Sequence, residues 1–220
     1  MKNHPTRELL DLDRLETTAV TSVPYPFLIV PHFIRAAARP AITADFPDVT
    51  RAGSFPLPSL TFGPAFAALM EALVSEDMRA IVERKFEIDL TGRPTMATVR
   101  GQATARDGHI HTDSRTKIVT LLLYMNDRWE ADRGRLRILR TAHDIHDVAA
   151  EVPPDEGTLV LFLNGPTAWH GFEAFEGPRR VIQVNWVTDE QVVRREQTRH
   201  RFSAFVKRLV NRGPRHAVAT

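Results

Sequence analysis

From Thr95 to Val187 the chain runs in short aliphatic and β-branched stretches, at 95–103, 117–125, 136–140, 158–163 and 179–187. Each is closed by turn chemistry: Arg106-Asp107-Gly108, Asp132-Arg133-Gly134, Pro153-Pro154-Asp155-Glu156-Gly157, Asn164-Gly165-Pro166 and Glu176-Gly177-Pro178. Glycine supplies backbone angles that other residues resist and proline presets a bend, so such clusters reverse an extended chain. No helix-length pattern separates successive strands, so alternating βα units give way to an antiparallel barrel or double-sheet sandwich.

The first part of the chain reads differently. Phe66, Leu69, Met70, Leu73 and Val74 share one helical face. Met78, Ile81, Val82 and Phe86 continue the pattern after Ser75-Glu76-Asp77, which has the composition of a helix N-terminus. Phe27–Val30 is a strand candidate, and 34–44 a helix interrupted or begun at Pro40. The first 90 residues or so are therefore expected to be mainly helical. The expected architecture is mainly β with flanking helices: a jelly-roll core over 93–188, backed by a helical part over 1–92 and followed by a basic helix and tail over 189–220.

At 220 residues and 43% hydrophobic, the chain is long enough for one domain with a sizeable core. The absence of cysteine excludes disulfides, zinc ribbons and thiol nucleophiles, leaving histidine and carboxylate as metal ligands. The charged start lacks an apolar signal region, and no later run reaches the length of a membrane span, so a cytoplasmic protein is expected. A net charge of +2 is too small to imply nucleic-acid binding without clustering. Clustering occurs only near the C-terminus, where Arg194, Arg195, Arg199, His200, Arg201, Lys207, Arg208, Arg212 and Arg215 surround Phe202, Phe205, Val206 and Leu209 at helical spacing. This reads as an amphipathic helix packed on the core, with an acidic partner as the alternative use of its charge.

The chemistry concentrates in His111-Thr112-Asp113 and the distant His170. Such a triplet by itself is an easy coincidence in a chain with nine histidines. In extended chain, however, residues two apart face the same way, so His111 and Asp113 can share one metal, with His170 closing a two-histidine, one-carboxylate facial set. His109 has the same parity, and a His109/His111 pair would instead suit a cupin-like site. His143 and His146 sit in an acidic stretch with Asp144 and Asp147 and read as surface histidines.

Together these blocks resemble the 2-oxoglutarate/Fe(II)-dependent oxygenase superfamily, in its prolyl-hydroxylase-like branch. The resemblance rests on His111-Thr112-Asp113, the run from Lys117 through Tyr124 to Asn126, Trp129, Gly134 to Leu136, Pro154 to Gly157, Phe162, Trp169-His170-Gly171, and Arg179 through Trp186. It implies a double-stranded β-helix, iron held by His111, Asp113 and His170, and Fe(II), 2-oxoglutarate and O2 as cofactor and co-substrates. It also implies a basic residue about ten positions after the distal histidine that binds the far carboxylate of 2-oxoglutarate. Arg180 stands there, and it is preferred to its neighbour Arg179, since only one of the two can face the barrel. Tyr124 is implied as a further hydrogen-bond donor to that carboxylate. Where many relatives have two glycines before the strand near Leu136, this chain has Arg133-Gly134.

The implied activity is hydroxylation of an unactivated C–H bond with release of succinate and CO2. Asp113 stands where halogenating relatives have a small residue. The alternatives are a cupin-like metalloenzyme that does not use 2-oxoglutarate and a non-catalytic sensor on the same fold. The substrate, small molecule or peptidyl, is not marked by any motif, although Arg100, Arg106, Arg135 and Arg137 would suit an acidic one.

Overall fold

The computed structural model describes residues 5–194. The chain is helical at 190–194, where the described residues end; the basic residues from Arg195 onward, and with them the rest of the expected C-terminal helix, lie outside the described residues.

Two short helices, α1 (Pro5–Leu9) and α2 (Leu12–Thr17), precede β1 (Phe27–Val30) and α3 (Arg39–Ala44). Neither α1 nor α2 announces itself in the sequence; Leu10, Leu12 and Leu15 are fully buried, so tertiary packing rather than propensity holds them. The helix expected over 34–44 is confined to its last part, because Pro40 has no N–H to give and fits only the first turn. After β2 (Phe55–Pro56) come α4 (Pro64–Leu73) and α5 (Glu76–Phe86), separated where Ser75 was read as a start. The Ser75 side chain accepts from the N–H of Met78 at 3.3 Å, and Glu76 and Asp77 occupy the first turn while Arg84 and Lys85 occupy the last, each sign matching the helix dipole. The N-terminal part is thus less helical than its composition suggests, since long connections and two strands share it with the helices.

The remaining strands are β3 (Thr95–Ala103), β4 (Lys117–Tyr124), β5 (Leu136–Leu139), β6 (Val148–Val152), β7 (Leu159–Leu163), β8 (His170–Gly171) and β9 (Gly177–Val187). Six form a major sheet in the order β1-β7-β4-β9-β3-β2, and three form a minor sheet, β6-β5-β8. All the strand pairings within both sheets are antiparallel. The sheets face one another as a double-stranded β-helix, with the helices on the outer face of the major sheet.

The major sheet is therefore buried on both faces, and its side-chain parity decides what enters the barrel. Val119, Leu121 and Leu123 of β4, Leu159 and Leu161 of β7, and Ile182, Val184 and Trp186 of β9 pack in the core shared with the helices. Their alternates Tyr124, Val160, Phe162 and Val181 pack inside the barrel against Leu136, Ile138 and Val152 of the minor sheet. In β4 this alternation starts after an irregularity between Lys117 and Val119 in its pairing with β9. Such an irregularity re-aims side chains, and here Lys117 reaches the same region as Thr120.

Candidate metal centre

His111 and His170 are brought together by backbone pairing. The N–H of His111 donates to the carbonyl of His170 and the reverse bond is also made, both at 3.0 Å. This antiparallel bridge adds the His111 segment to the free edge of β8, whose other edge pairs with β5. Close approach is possible because Gly108 and Gly171 face each other: a Cβ on Gly171 would stand 2.7 Å from the Gly108 carbonyl oxygen. Gly108 itself has φ +93°, a backbone region that other residues rarely adopt.

Both imidazoles have one nitrogen committed to the backbone. His111 Nδ1 lies 2.8 Å from the His109 carbonyl and His170 Nδ1 lies 2.9 Å from that of Ala168. A carbonyl can only accept, so Nδ1 carries a proton in each ring, and it is Nε2 that keeps a lone pair in the neutral imidazole. Asp113 completes the group: one ligand atom from each of His111, Asp113 and His170 lies within 4.8 Å of the others. His109 is outside this group and contributes its carbonyl instead.

The protonation states also suit a cation. Burial, reinforced by His111 beside it, pulls the His170 imidazole down to about 4, against weaker upward pulls from Asp113 and the Ala168 carbonyl. His170 is therefore neutral at neutral pH. Burial pushes the Asp113 carboxyl up, but the Lys117 ammonium, His170 and hydrogen bonds from Lys117 and Thr120 together hold it below its ordinary value. Lys117 Nζ lies 2.8 Å from Asp113 Oδ1, and the Thr120 hydroxyl lies 2.6 Å from Oδ2. Two imidazole nitrogens and one carboxylate on a single side of the site form the donor set that suits divalent iron and leaves coordination positions open.

The three residues line a cavity of about 310 Å³ between the sheets. Its inner wall includes Leu122, Tyr124, Leu136, Val181 and Arg179; Arg100, Arg106, Asp107 and His109 also line it. A separate groove of about 290 Å³, lined by Pro56, Met70, Val74 and Thr98 among others, contains none of the metal-ligand group.

The orientation of the two arginines reverses the expectation. Arg179, only 4% exposed, points into the barrel with Val181 and Gln183, whereas Arg180 is exposed on the outer face with its guanidinium over the Phe46 ring. Spacing from His170 points to Arg180, but the pleat turns that side chain away from the cavity: Ile182, Val184 and Trp186 belong to the helix-side core, and Arg180 has their parity. Arg179 Nε donates to the Gly134 carbonyl at 2.8 Å, and its guanidinium carbon lies 4.1 Å from the centre of the Phe172 ring. The Tyr124 hydroxyl is 3.4 Å from Arg179 Nη2, and burial raises that phenol despite the opposing pull of the arginine. Among the described residues no carboxylate forms an ion pair with Arg179.

Of the arginines read as possible acid-binding groups, Arg100 pairs with Asp107, and Arg135 and Arg137 pair with Glu151 outside the cavity. Lys117, Thr120, Asn164 and Asn185, which surround Asp113 directly or through Thr120, were not picked out as site residues in the sequence. The available signal was a single threonine inside the apolar run of β4 and polar residues at alternate positions of β9.

A model of the family described as the 2OG-Fe(II) oxygenase superfamily matches residues 100–188. Solved structures share the fold at low sequence identity. A Pseudomonas putida prolyl-4-hydroxylase is 16% identical, with 86% of this chain and 97% of that one covered at a TM-score of 0.51. A Trichoplax adhaerens prolyl hydroxylase, in complex with a hypoxia inducible factor oxygen degradation domain peptide fragment, is 16% identical over 83% of this chain and 88% of that one, with a TM-score of 0.52. HygX from Streptomyces hygroscopicus, with nickel and 2-oxoglutarate bound, is 14% identical over 73% of this chain and 81% of that one, with a TM-score of 0.51. No curated protein matches the sequence. Among the described residues, no helix is long and apolar enough to cross a membrane.

Proposed function

Residues 100–188 of this chain belong to the 2OG-Fe(II) oxygenase superfamily, and from that premise we propose that it is a 2-oxoglutarate-dependent, non-haem Fe(II) dioxygenase hydroxylating an unactivated C–H bond of a small-molecule or peptidyl substrate. Nε2 of His111, Nε2 of His170 and a carboxylate oxygen of Asp113 would hold the iron. The guanidinium of Arg179 and the hydroxyl of Tyr124 would hold the far carboxylate of 2-oxoglutarate. Bound iron, 2-oxoglutarate and O2 supply the oxidising chemistry: one oxygen atom goes to succinate, formed with CO2, and the other to the C–H bond, which becomes C–OH.

The observation that carries this reading is Arg179. A guanidinium buried inside a barrel without a counter-charge among the described residues loses hydration that its contacts with a carbonyl and two rings do not fully replace. A dicarboxylate bound at the metal with its far end on Arg179 supplies the missing charge, and the fork of an arginine can bind it through two parallel hydrogen bonds. The remaining residues act on surroundings and orientation. Leu122, Leu136, Val181 and Phe172 give the cavity an apolar wall that limits water, and backbone carbonyls fix both imidazole tautomers. A cupin-like site built on His109 has less support, because that residue offers its carbonyl to His111 rather than its ring to the metal group.

Incubation with Fe(II), 2-oxoglutarate and O2 tests the reading through succinate release. Release that depends on iron and disappears in His111→Ala and Asp113→Ala is expected. Tight iron binding without any 2-oxoglutarate-dependent succinate would overturn it in favour of a metalloprotein that does not use the co-substrate.

A further inference from the structure

Behind Asp113 lies a set of hydrogen bonds that the proposed reaction does not itself require. The Thr120 hydroxyl donates to Asp113 Oδ2 at 2.6 Å, and Thr120 Oγ1 in turn accepts from Asn185 Nδ2 at 2.7 Å and from Asn164 Nδ2 at 2.9 Å. A hydroxyl has one proton and two lone pairs. The two amides occupy both lone pairs, so the single proton of Thr120 is directed to Asp113. Thr120 is 1% and Asn185 2% exposed, and neither has water to fall back on. The Asn164 amide keeps its N–H on Thr120 although its own Oδ1, also buried, has no partner among the described residues.

We propose that Asn185 and Asn164, acting through Thr120, are positioning residues for the Asp113 carboxylate, which they lock in one rotation before the metal binds. With Lys117 on Oδ1 and Thr120 on Oδ2, the carboxylate cannot turn freely, and the direction in which its remaining lone pairs face the two imidazoles is set by strands β4 and β9. This rests on the reading of Asp113 as a metal ligand. It goes further by extending the site to two asparagines, one following β7 and one on β9.

The test uses Co(II) as the probe, with affinity from calorimetry and coordination from its visible absorption bands, on wild type, Asp113→Ala, Thr120→Val, Thr120→Ser, Asn185→Leu and Asn164→Ala. Wild-type binding that Asp113→Ala abolishes is the precondition; if wild type does not bind, or Asp113→Ala binds equally well, the metal site itself fails and the proposal with it. Given that precondition, Thr120→Val and Asn185→Leu should weaken Co(II) by about 10- to 100-fold, the usual effect of losing an outer hydrogen-bond partner of a ligand. Their absorption bands should also shift, and Thr120→Ser should restore wild-type behaviour by restoring the hydroxyl. Wild-type affinity and spectrum in Thr120→Val or Asn185→Leu would overturn the proposal while leaving the metal site intact. If both variants fail to fold, Asn164→Ala, at the half-buried end of β7, decides the case: weaker binding with a shifted spectrum supports the proposal, and an unchanged pair overturns it.

Discussion

Arg179 and Arg180 differ by one position and by everything that matters to a ligand: one is buried against Tyr124 and Phe172, the other exposed over Phe46. In Fe(II)-loaded protein, Arg179→Ala should weaken 2-oxoglutarate by about 2–5 kcal/mol, the usual cost of truncating one partner of a buried charge pair. Arg179→Lys should recover only part of this because it lacks the fork, and Arg180→Ala should bind as wild type does. Anaerobic calorimetry reads these differences, and equal losses at the two arginines would contradict the assignment. A second consequence concerns acid. Between about 4 and its ordinary 6.5, His170 takes up a proton in the unfolded chain that the folded, metal-free protein refuses. Stability must then fall as pH drops through that window, by at most ~3 kcal/mol from this group. Asp113 acts in the same direction, since a carboxyl held below its ordinary value loses its contribution on acidification. Urea midpoints in the presence of a chelator, taken at neutral pH and at the acid end of the window, should show this loss, and His170→Gln should flatten it. An unflattened slope would place the acid sensitivity elsewhere.

Among the elements, β8 contains two residues and yet positions one candidate metal ligand, because His170 is paired on one side with Ile138 of β5 and on the other with His111. Gly171→Ala would force a Cβ against the Gly108 and His109 carbonyl oxygens, which lie 2.7 and 3.2 Å from its position, and backbone yields less readily than a flexible side chain. Loss of about 1–3 kcal/mol in stability, as for overpacking, together with weaker Fe(II) binding is the expected outcome. Wild-type values of both by urea titration and metal calorimetry would show that the two segments have room to part. Such long-range pairing explains what could be read beforehand and what could not. The strands at 95–103, 117–125 and 179–187 were legible almost to the residue, because β-branched and aliphatic runs end in turn residues. β6, with two alanines and a glutamate in five residues, has little strand character, and β8 exists only through its partners. The arginine choice was legible in principle: Gln183 and Asn185 mark the odd positions of β9 as the polar, inward set, and Arg179 belongs to them.

Across the whole molecule, the major sheet separates two cores with different tasks. The larger one joins helices to sheet and includes Phe66, Leu69, Leu121, Val184 and Trp186; the smaller lies inside the barrel beside the candidate site and includes Tyr25, Tyr124, Phe162 and Val181. Phe66→Ala, on the helix side of that sheet, should cost about 3–5 kcal/mol of stability. The iron-dependent spectrum per bound metal should remain that of wild type, so a variant that unfolds earlier in urea but loads normally at low temperature is the expected result; an altered spectrum would mean that the helix layer shapes the site directly. The N-terminal helices thus pack against the sheet on which Tyr124, Arg179 and Thr120 stand. This barrel is expected to hold iron and 2-oxoglutarate together between the two histidines, Asp113 and Arg179. Anaerobic titration with Fe(II) and then 2-oxoglutarate, followed by visible absorption, tests it without a substrate. A metal-to-ligand charge-transfer band should appear only when both are present, vanish in His170→Ala, and require far more 2-oxoglutarate in Arg179→Ala; bound iron that never develops the band on adding 2-oxoglutarate would contradict a shared iron and 2-oxoglutarate site.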